Sequence, residues 1–453
     1  MAQPMELTWK KLMKSYLYIL VSCLFCYLHE AKAQDRNDST RTLAECIAIA
    51  VANNPLLQQN NLNNKRNDVN YRQAWQNQLP LLDATFGHGY SQGKTIDPTT
   101  NQFVQQNITS GNQNVNAGLI LFDGMRILND VRMKASAKTA GRLEYEGQIN
   151  ALKLDVIEAY IQVLTAQDML DLNKQQLELT KEQLRRSEVL NLEGAIAPAD
   201  YYDVKGQYSL ELNNQQLVKQ QLYTNKLNLA NLLNCSEEDL GNLENLPFVA
   251  QSQNEYSDWK NLYSQAGSIL PEFKALEWRI KEAEQGIRVS KASYYPQLSV
   301  GAGLYSNYSN SGQGNYFNQI QDNLGRSLSF NLSIPIFSRF ITKNQVNLSK
   351  ITLKEMELEK DAQLNNLRKN TSQAIFDLKI AEEQVKNLNE QEKSYAEFFR
   401  ISQVQFDAGA NNSVDYLSAK NKWDNSKNQL VIKQYEWLFQ KYLNDYYAGK
   451  LNL

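Results

Sequence analysis

Few side chains in this sequence have the type and spacing to do chemistry. The clearest are acidic residues set beside two matched turns. Gly194-Ala195-Ile196-Ala197-Pro198-Ala199-Asp200 and Gly409-Ala410-Asn411-Asn412-Ser413-Val414-Asp415 each carry a glycine and, six residues on, an aspartate. Asp200 and Asp203 stand three apart, on one face of a helix. Carboxylates so placed can hold cations, line an aqueous pore, or match the positive end of the helix they begin. Catalytic material is scarce. Two histidines, His29 and His88, cannot build a His-based metal site or a triad, and neither a phosphate-binding loop nor an H-E-x-x-H helix is present. The other Asp and Glu residues are spread along polar helix faces as solvated charge. The chain therefore reads as no enzyme, with no cofactor and no metal.

The turns end very long helices. Ile336 to Ala408 holds neither Gly nor Pro, and Met125 to Glu193 has no Pro and only Gly141 and Gly147. As one helix the stretch from Ile336 to Ala408 could extend roughly 110 Å. Its apolar residues recur at spacings of three and four (Val346, Ile351, Leu353, Leu358, Leu364, Leu367) among Glu, Lys, Gln and Asn, the texture of a coiled coil. Gly194 and Gly409 supply the left-handed residue that stops a helix, and Pro198 and Ser413 suit the start of the next. Each stretch thus predicts an antiparallel helical hairpin, at about 125–234 and 339–449.

Ahead of each hairpin lie two runs alternating with period two. Leu82, Ala84, Phe86 and Tyr90 interleave with Asp83, Thr85, Gly87 and Gly89; Val115, Ala117, Leu119 and Leu121 interleave with Asn114, Asn116 and Gly118. The later pair is Leu298, Val300, Ala302 and Leu304, then Leu328, Phe330, Leu332, Ile334 and Ile336, with Ser, Gly and Asn between. Runs of about 9–11 residues suit tilted strands crossing a bilayer, apolar face to lipid and small polar face to a lumen. Residues 91–112 and 306–326 read as polar external loops. Two hairpins leave two bare edges that lipid cannot satisfy, so several chains must share one barrel.

The order is written twice. Pro55 and Pro271, and Pro80 and Pro296, lie 216 apart; Phe122 and Phe337, Gly194 and Gly409, and Asp200 and Asp415 lie 215 apart. Residues 34–250 and 251–453 read as two structural repeats, with strand pairs at about 80–123 and 296–337.

Composition agrees. Mean hydropathy is −0.54, with nine prolines and 20 glycines in 453 residues, which suits long helices better than compact globules. A net charge of −2 gives no footprint for nucleic acid. Residues 1–33 read as a secretory signal: Lys10, Lys11 and Lys14, an apolar core from Tyr16 to Leu28, then Ala31-Lys32-Ala33 before Gln34. A competing reading places a lipid anchor at Cys23. Cys46 and Cys235 survive cleavage; they could pair, but lack repeat equivalents and read as small buried residues.

The duplicated strand–helix–turn–helix order resembles the TolC-type outer-membrane efflux channels over about residues 40–449. Leu43–Pro55, ending Asn53-Asn54-Pro55, is similar to that family's opening helix, and Tyr294-Tyr295-Pro296-Gln297-Leu298 and Gly409…Asp415-Tyr416-Leu417 are similar in the same way. The resemblance implies a mainly α chain with membrane β-structure. Three chains would form a 12-stranded barrel continued by a long periplasmic α-helical barrel. It also implies a passive exit duct for drugs, small molecules or proteins, in the outer-membrane lipid. A periplasmic adaptor and an inner-membrane pump would work with it, and the helix tips would gate it. Asp415 matches the first acidic tip position; Ser418 departs from the second, and Phe406 stands where a Tyr is expected. Gly194, Asp200, Asp203, Phe406, Gly409, Asn411, Asn412, Asp415 and Ser418 are the expected tip and docking residues. The alternative is a coiled-coil adaptor or scaffold, although adaptors carry one hairpin in a small β-domain.

Overall fold

A computed structural model of the chain describes residues 40–96, 101–105, 107–248 and 258–451. The signal segment and Cys23 lie outside the described residues.

The helices begin where local chemistry lets them. Thr42 and Glu45 form a reciprocal capping box that opens α1 (Leu43–Asn53). Asn54 then caps α2 (Pro55–Gln76), accepting from the amides of Leu56 and Leu57 with Pro55 at the first position. The Asn54 amide group also donates to the carbonyl of Leu232 at 3.0 Å, and Asn234 donates back to Asn53. These bonds stack α2 on the C-terminal end of α4 (Pro198–Leu233). The second half repeats the device with other residues. α7 (Pro271–Ala292) meets the end of α10 (Ser413–Tyr447) through a Tyr446–Glu272 hydrogen bond. Against these stacked pairs run α3 (Arg126–Leu192) and α9 (Ile341–Asp407), 67 residues each, or about 100 Å of helix.

Neither long helix starts straight from its strand. Gly124 and Met125 have φ of 67° and 66°, and Arg339 and Phe340 have 49° and 61°. Two successive left-handed residues turn the chain from sheet to helix in each half. Only glycine fits at 124, since an added Cβ would lie 2.6 Å from the carbonyl oxygen of Ala292. This turn is why α9 begins at Ile341, later than a Gly- and Pro-free sequence suggests.

The strands make one antiparallel sheet in the order β1 (Leu81–Ser91), β4 (Ile108–Phe122), β5 (Gln297–Ser309), β6 (Gly325–Ser333). The register sorts the faces. Leu82, Ala117, Ala302 and Leu328 form one row; Val300 sits between Leu119 and Phe330 on the same face; Asp83, Asn116, Gly303 and Ser327 form a row on the other. The alternation read from sequence therefore gives one continuous apolar face and one small polar face. Both outer edges, β1 and β6, are unpaired among the described residues. The expectation of strand through Ile336 needs correcting: β6 stops at Ser333, just before Pro335, which has no amide to donate. The polar loops are also less open than expected. Residues 91–112 contain the short hairpin β2 (Lys94–Ile96) and β3 (Phe103–Gln105) and the start of β4, while 306–326 holds the end of β5 and α8 (Tyr316–Asp322).

The main core lies midway down the long helices. α1 buries Leu43, Cys46, Ile47 and Ala50 against Val156, Ile157, Tyr160, Val163 and Leu164 of α3, with Leu229, Leu233, Trp437 and Leu438 closing the cluster. The Tyr160 hydroxyl lies 2.7 Å from the Glu244 carbonyl oxygen and 3.0 Å from that of Arg41, which holds the connecting strap of α5 (Glu237–Leu240) and its sequel. Cys46 is fully buried and its thiol is pushed up to about 11 by that burial; Cys235 is half-buried, and both are free thiols. α6 (Trp259–Ile269) packs Ala266 with Leu367 of α9.

Candidate functional site

Both helical turns close in the same way. The Ala195 amide donates to Leu190 and that of Ala410 to Gln405, with Gly194 (φ 71°) and Gly409 (φ 70°) left-handed. α10 is capped by Asn412, whose side chain accepts from the Asp415 amide at 2.9 Å, so Ser413 is the first helical residue and not the cap. α4 begins at Pro198 after Ala197, with no side-chain cap.

The three aspartates then part company. Asp200 accepts from the Ser413 amide at 3.1 Å and Asp203 accepts from the Ser413 hydroxyl at 3.0 Å. Within the chain they bridge to the other hairpin, and neither caps its own helix. Asp415 is exposed, as is Ser418 three residues on. Asn411 and Asn412 lie at the turn, with the Asn411 side chain accepting from the Asn412 amide. Phe406, facing inward, stacks on Tyr416 at 5.0 Å between ring centres; Phe399, Leu417 and Ala419 complete a small apolar cluster above the turn. Arg186 of α3 adds a second link between hairpins, 2.7 Å from the Asp407 carboxylate.

Sequence reasoning missed the polar centre of this lower bundle. Lys420 is fully buried between Glu211 of α4 and Asp424 of its own helix. Only the Lys-x-x-x-Asp spacing could have signalled it, and that spacing is ordinary on a solvated helix face. Sequence reading also overlooked Gly89-Tyr90-Ser91-Gln92-Gly93, which spells a nucleophile elbow. Ser91 is the last residue of β1, paired with Ile108, and the chain continues into the β2 hairpin instead of a helix. No elbow forms. Among the described residues no cluster of His, Cys, Asp and Glu could hold a metal ion, and no helix is long and apolar enough to cross a membrane.

Two paired hairpins, a four-stranded sheet with one apolar face and 67-residue helices leading away from it define an architecture that can be matched. The profile of the outer membrane efflux protein family matches residues 46–235 and 262–440, most of the chain. The chain belongs to this family. The outer membrane efflux proteins are TolC-type channels, and solved members share the fold. A membrane protein from Pseudomonas aeruginosa is 16% identical, with 90% of this chain and 89% of that one covered at a TM-score of 0.78. The outer membrane protein VceC of Vibrio cholerae is 14% identical, with coverage of 90% and 96% and a TM-score of 0.77. The CmeC outer membrane channel of Campylobacter jejuni is 16% identical, with coverage of 91% and 87% and a TM-score of 0.77. No curated protein sequence matches the chain significantly. Efflux-family membership makes the chain an outer-membrane transport duct.

Proposed function

We propose that three copies of this chain close into one tube. It would span the outer membrane as a 12-stranded barrel, continue through the periplasm as a helical barrel, and pass on drugs, small molecules or proteins. An inner-membrane pump and a periplasmic adaptor would deliver them. The observation that carries this reading is the pair of unpaired sheet edges, β1 and β6, on a sheet whose apolar face must meet lipid. Lipid offers no hydrogen bonds, so each edge requires a strand from another chain.

The helices repeat the pattern. α3 packs on α2, α4 and α7, and α9 packs on α7 and α10, leaving α2 and α4 at one side of the chain and α9 at the other. Both sides expose apolar residues: Leu62, Val69, Leu210 and Leu217 on one, Ile351, Leu358, Phe376 and Ile401 on the other. Two residues of the coiled-coil seam read from α9, Ile351 and Leu358, are thus uncovered within one chain. Unlike edges on opposite sides join head to tail and close into a ring when the rotation allows. The matched lengths of α3 and α9, and the left-handed pairs before each, support an internal duplication of residues 34–250 and 251–453. The tips close the tube, with Asp200, Asp203 and Ser413 as the link between hairpins and Asn411, Asn412 and Asp415 offered to the adaptor.

Membrane fractionation is expected to place the protein in the outer membrane. Asn411→Cys or Asn412→Cys is expected to cross-link, in cells, to a hairpin-bearing adaptor. A soluble periplasmic monomer would favour the scaffold alternative.

A further inference from the structure

The lower bundle holds a group of charges that the Ser413 link does not use. Lys420 Nζ donates to Glu211 Oε1 at 2.8 Å and to Asp424 Oδ2 at 2.6 Å, and its side chain is wholly buried. Glu211 belongs to α4 and the other two to α10, so the contact joins the hairpins inside the wall. Lys420 and Asp424 lie seven and eleven residues past Ser413, about 10–16 Å of helix above the tip. Gln207 braces the same point, donating to Glu211 and to Asn421.

One cation between two carboxylates leaves the cluster short of positive charge. Glu211 Oε2 is buried without a hydrogen bond, and so is the Tyr416 hydroxyl. Charged groups at Asp424 and around its neighbours Lys427 and Tyr416 come from three helices. Its own helix brings Lys420 and Lys427, and α4 brings Glu211. α9 brings Glu392, which accepts from Trp423 and acts on Lys427, and Asp407, which acts on Tyr416. The buried polar residues of α3 between the main core and the turn, Asn173, Thr180, Gln183 and Ser187, are uncharged. Burial raises the Asp424 carboxyl above its ordinary value, against the opposing pull of Lys420, and the same burial lowers the Lys427 ammonium.

We propose that Glu211, Lys420 and Asp424 form a second clasp between the hairpins, deeper than the Ser413 link, that holds more firmly once Asp424 takes a proton from solvent. This rests on reading the chain as a duct closed at its tips. The sign follows from linkage. A carboxyl raised in the packed bundle and ordinary when exposed binds its proton better packed. The clasp therefore strengthens as pH falls through the raised value and weakens as pH rises. A protonated Asp424 still accepts from Lys420 through its carbonyl oxygen, leaving a neutral Lys420–Glu211 pair. Parting the hairpins breaks the Lys420–Glu211 bond, whereas Asp424, on the same helix as Lys420, stays beside it.

The test is hydrogen exchange of the purified full chain over residues 204–216 and 413–427, corrected for intrinsic rates, together with bilayer conductance. Wild type is expected to gain protection as the pH is lowered from neutral through the raised value of Asp424. Asp424→Asn should be well protected throughout, with the pH response gone. Lys420→Met should lose protection and conduct more, and combining it with Glu211→Gln and Asp424→Asn should restore protection without a pH response. A wild-type pH response surviving in Asp424→Asn, or Lys420→Met leaving protection unchanged, would overturn the proposal. If no variant conducts but the protection pattern holds, the duct reading falls and the clasp stands.

Discussion

Replacing Asp200 and Asp203 together by alanine is expected to raise the time-averaged conductance of each channel at least tenfold while leaving trimers intact. Each chain then loses two hydrogen bonds from Ser413 to carboxyl oxygens. Such bonds contribute about 1.5–3 kcal/mol each, and less here because Asp203 is exposed. A net weakening of about 1.4 kcal/mol in each chain already shifts its closed population tenfold, and three chains act on one aperture. The Arg186–Asp407 pair and the Phe406–Tyr416 stack stay in place, so the hairpins are not expected to unfold. Asp415→Ala should behave differently, since Asp415 contributes its amide to the cap while its side chain is exposed. It should alter block by divalent cations and leave closed-state conductance near wild type. Equal, unchanged conductance in both variants would remove the tips from the gating account.

The second large effect is expected at the sheet. Leu332→Arg, on the apolar face opposite Leu298, should abolish or sharply reduce trimer in the outer membrane. A guanidinium at the bilayer midplane costs about 2–4 kcal/mol for each chain, and a closed barrel carries three. Ser329→Arg, opposite Gly301 on the small polar face, should assemble normally and lower conductance. Heat-resistant trimer on gels and conductance in bilayers read the two outcomes separately. Similar assembly defects from both substitutions would mean that the two faces share one environment.

Much of this was written plainly in the sequence. Strict alternation at Leu298, Val300, Ala302 and Leu304 fixes which side chains share a face, because strand periodicity depends on no distant contact. Gly194 and Gly409 mark the turns because φ near 70° excludes most other residues there. The end of β6 was misread because Ile334 and Ile336 continue the pattern while Pro335 breaks the hydrogen bonding, and hydropathy does not register a missing donor. Arg339 and Phe340, just before α9, adopt a left-handed conformation that their residue types do not announce. At the tip, spacing placed Asp200 and Asp203 on one helical face but could not reveal that Ser413, 213 residues from Asp200, lies against them. The buried Lys420 was invisible for the same cause. Its burial depends on how α4 and α10 meet, and a lysine in a polar helix reads as surface until that packing is known.

The most direct test of three chains sharing one tube is the native mass of the protein extracted from outer membranes in mild detergent. On the proposed reading, the two unpaired strand edges and the unlike helical sides, α2 with α4 against α9, meet in a closed ring. The mass expected is that of three mature chains, with cross-linking between copies exhausting at the trimer. A stable monomer, or a dimer that conducts ions as freely as the membrane-embedded protein, would contradict the shared barrel and the duct built upon it.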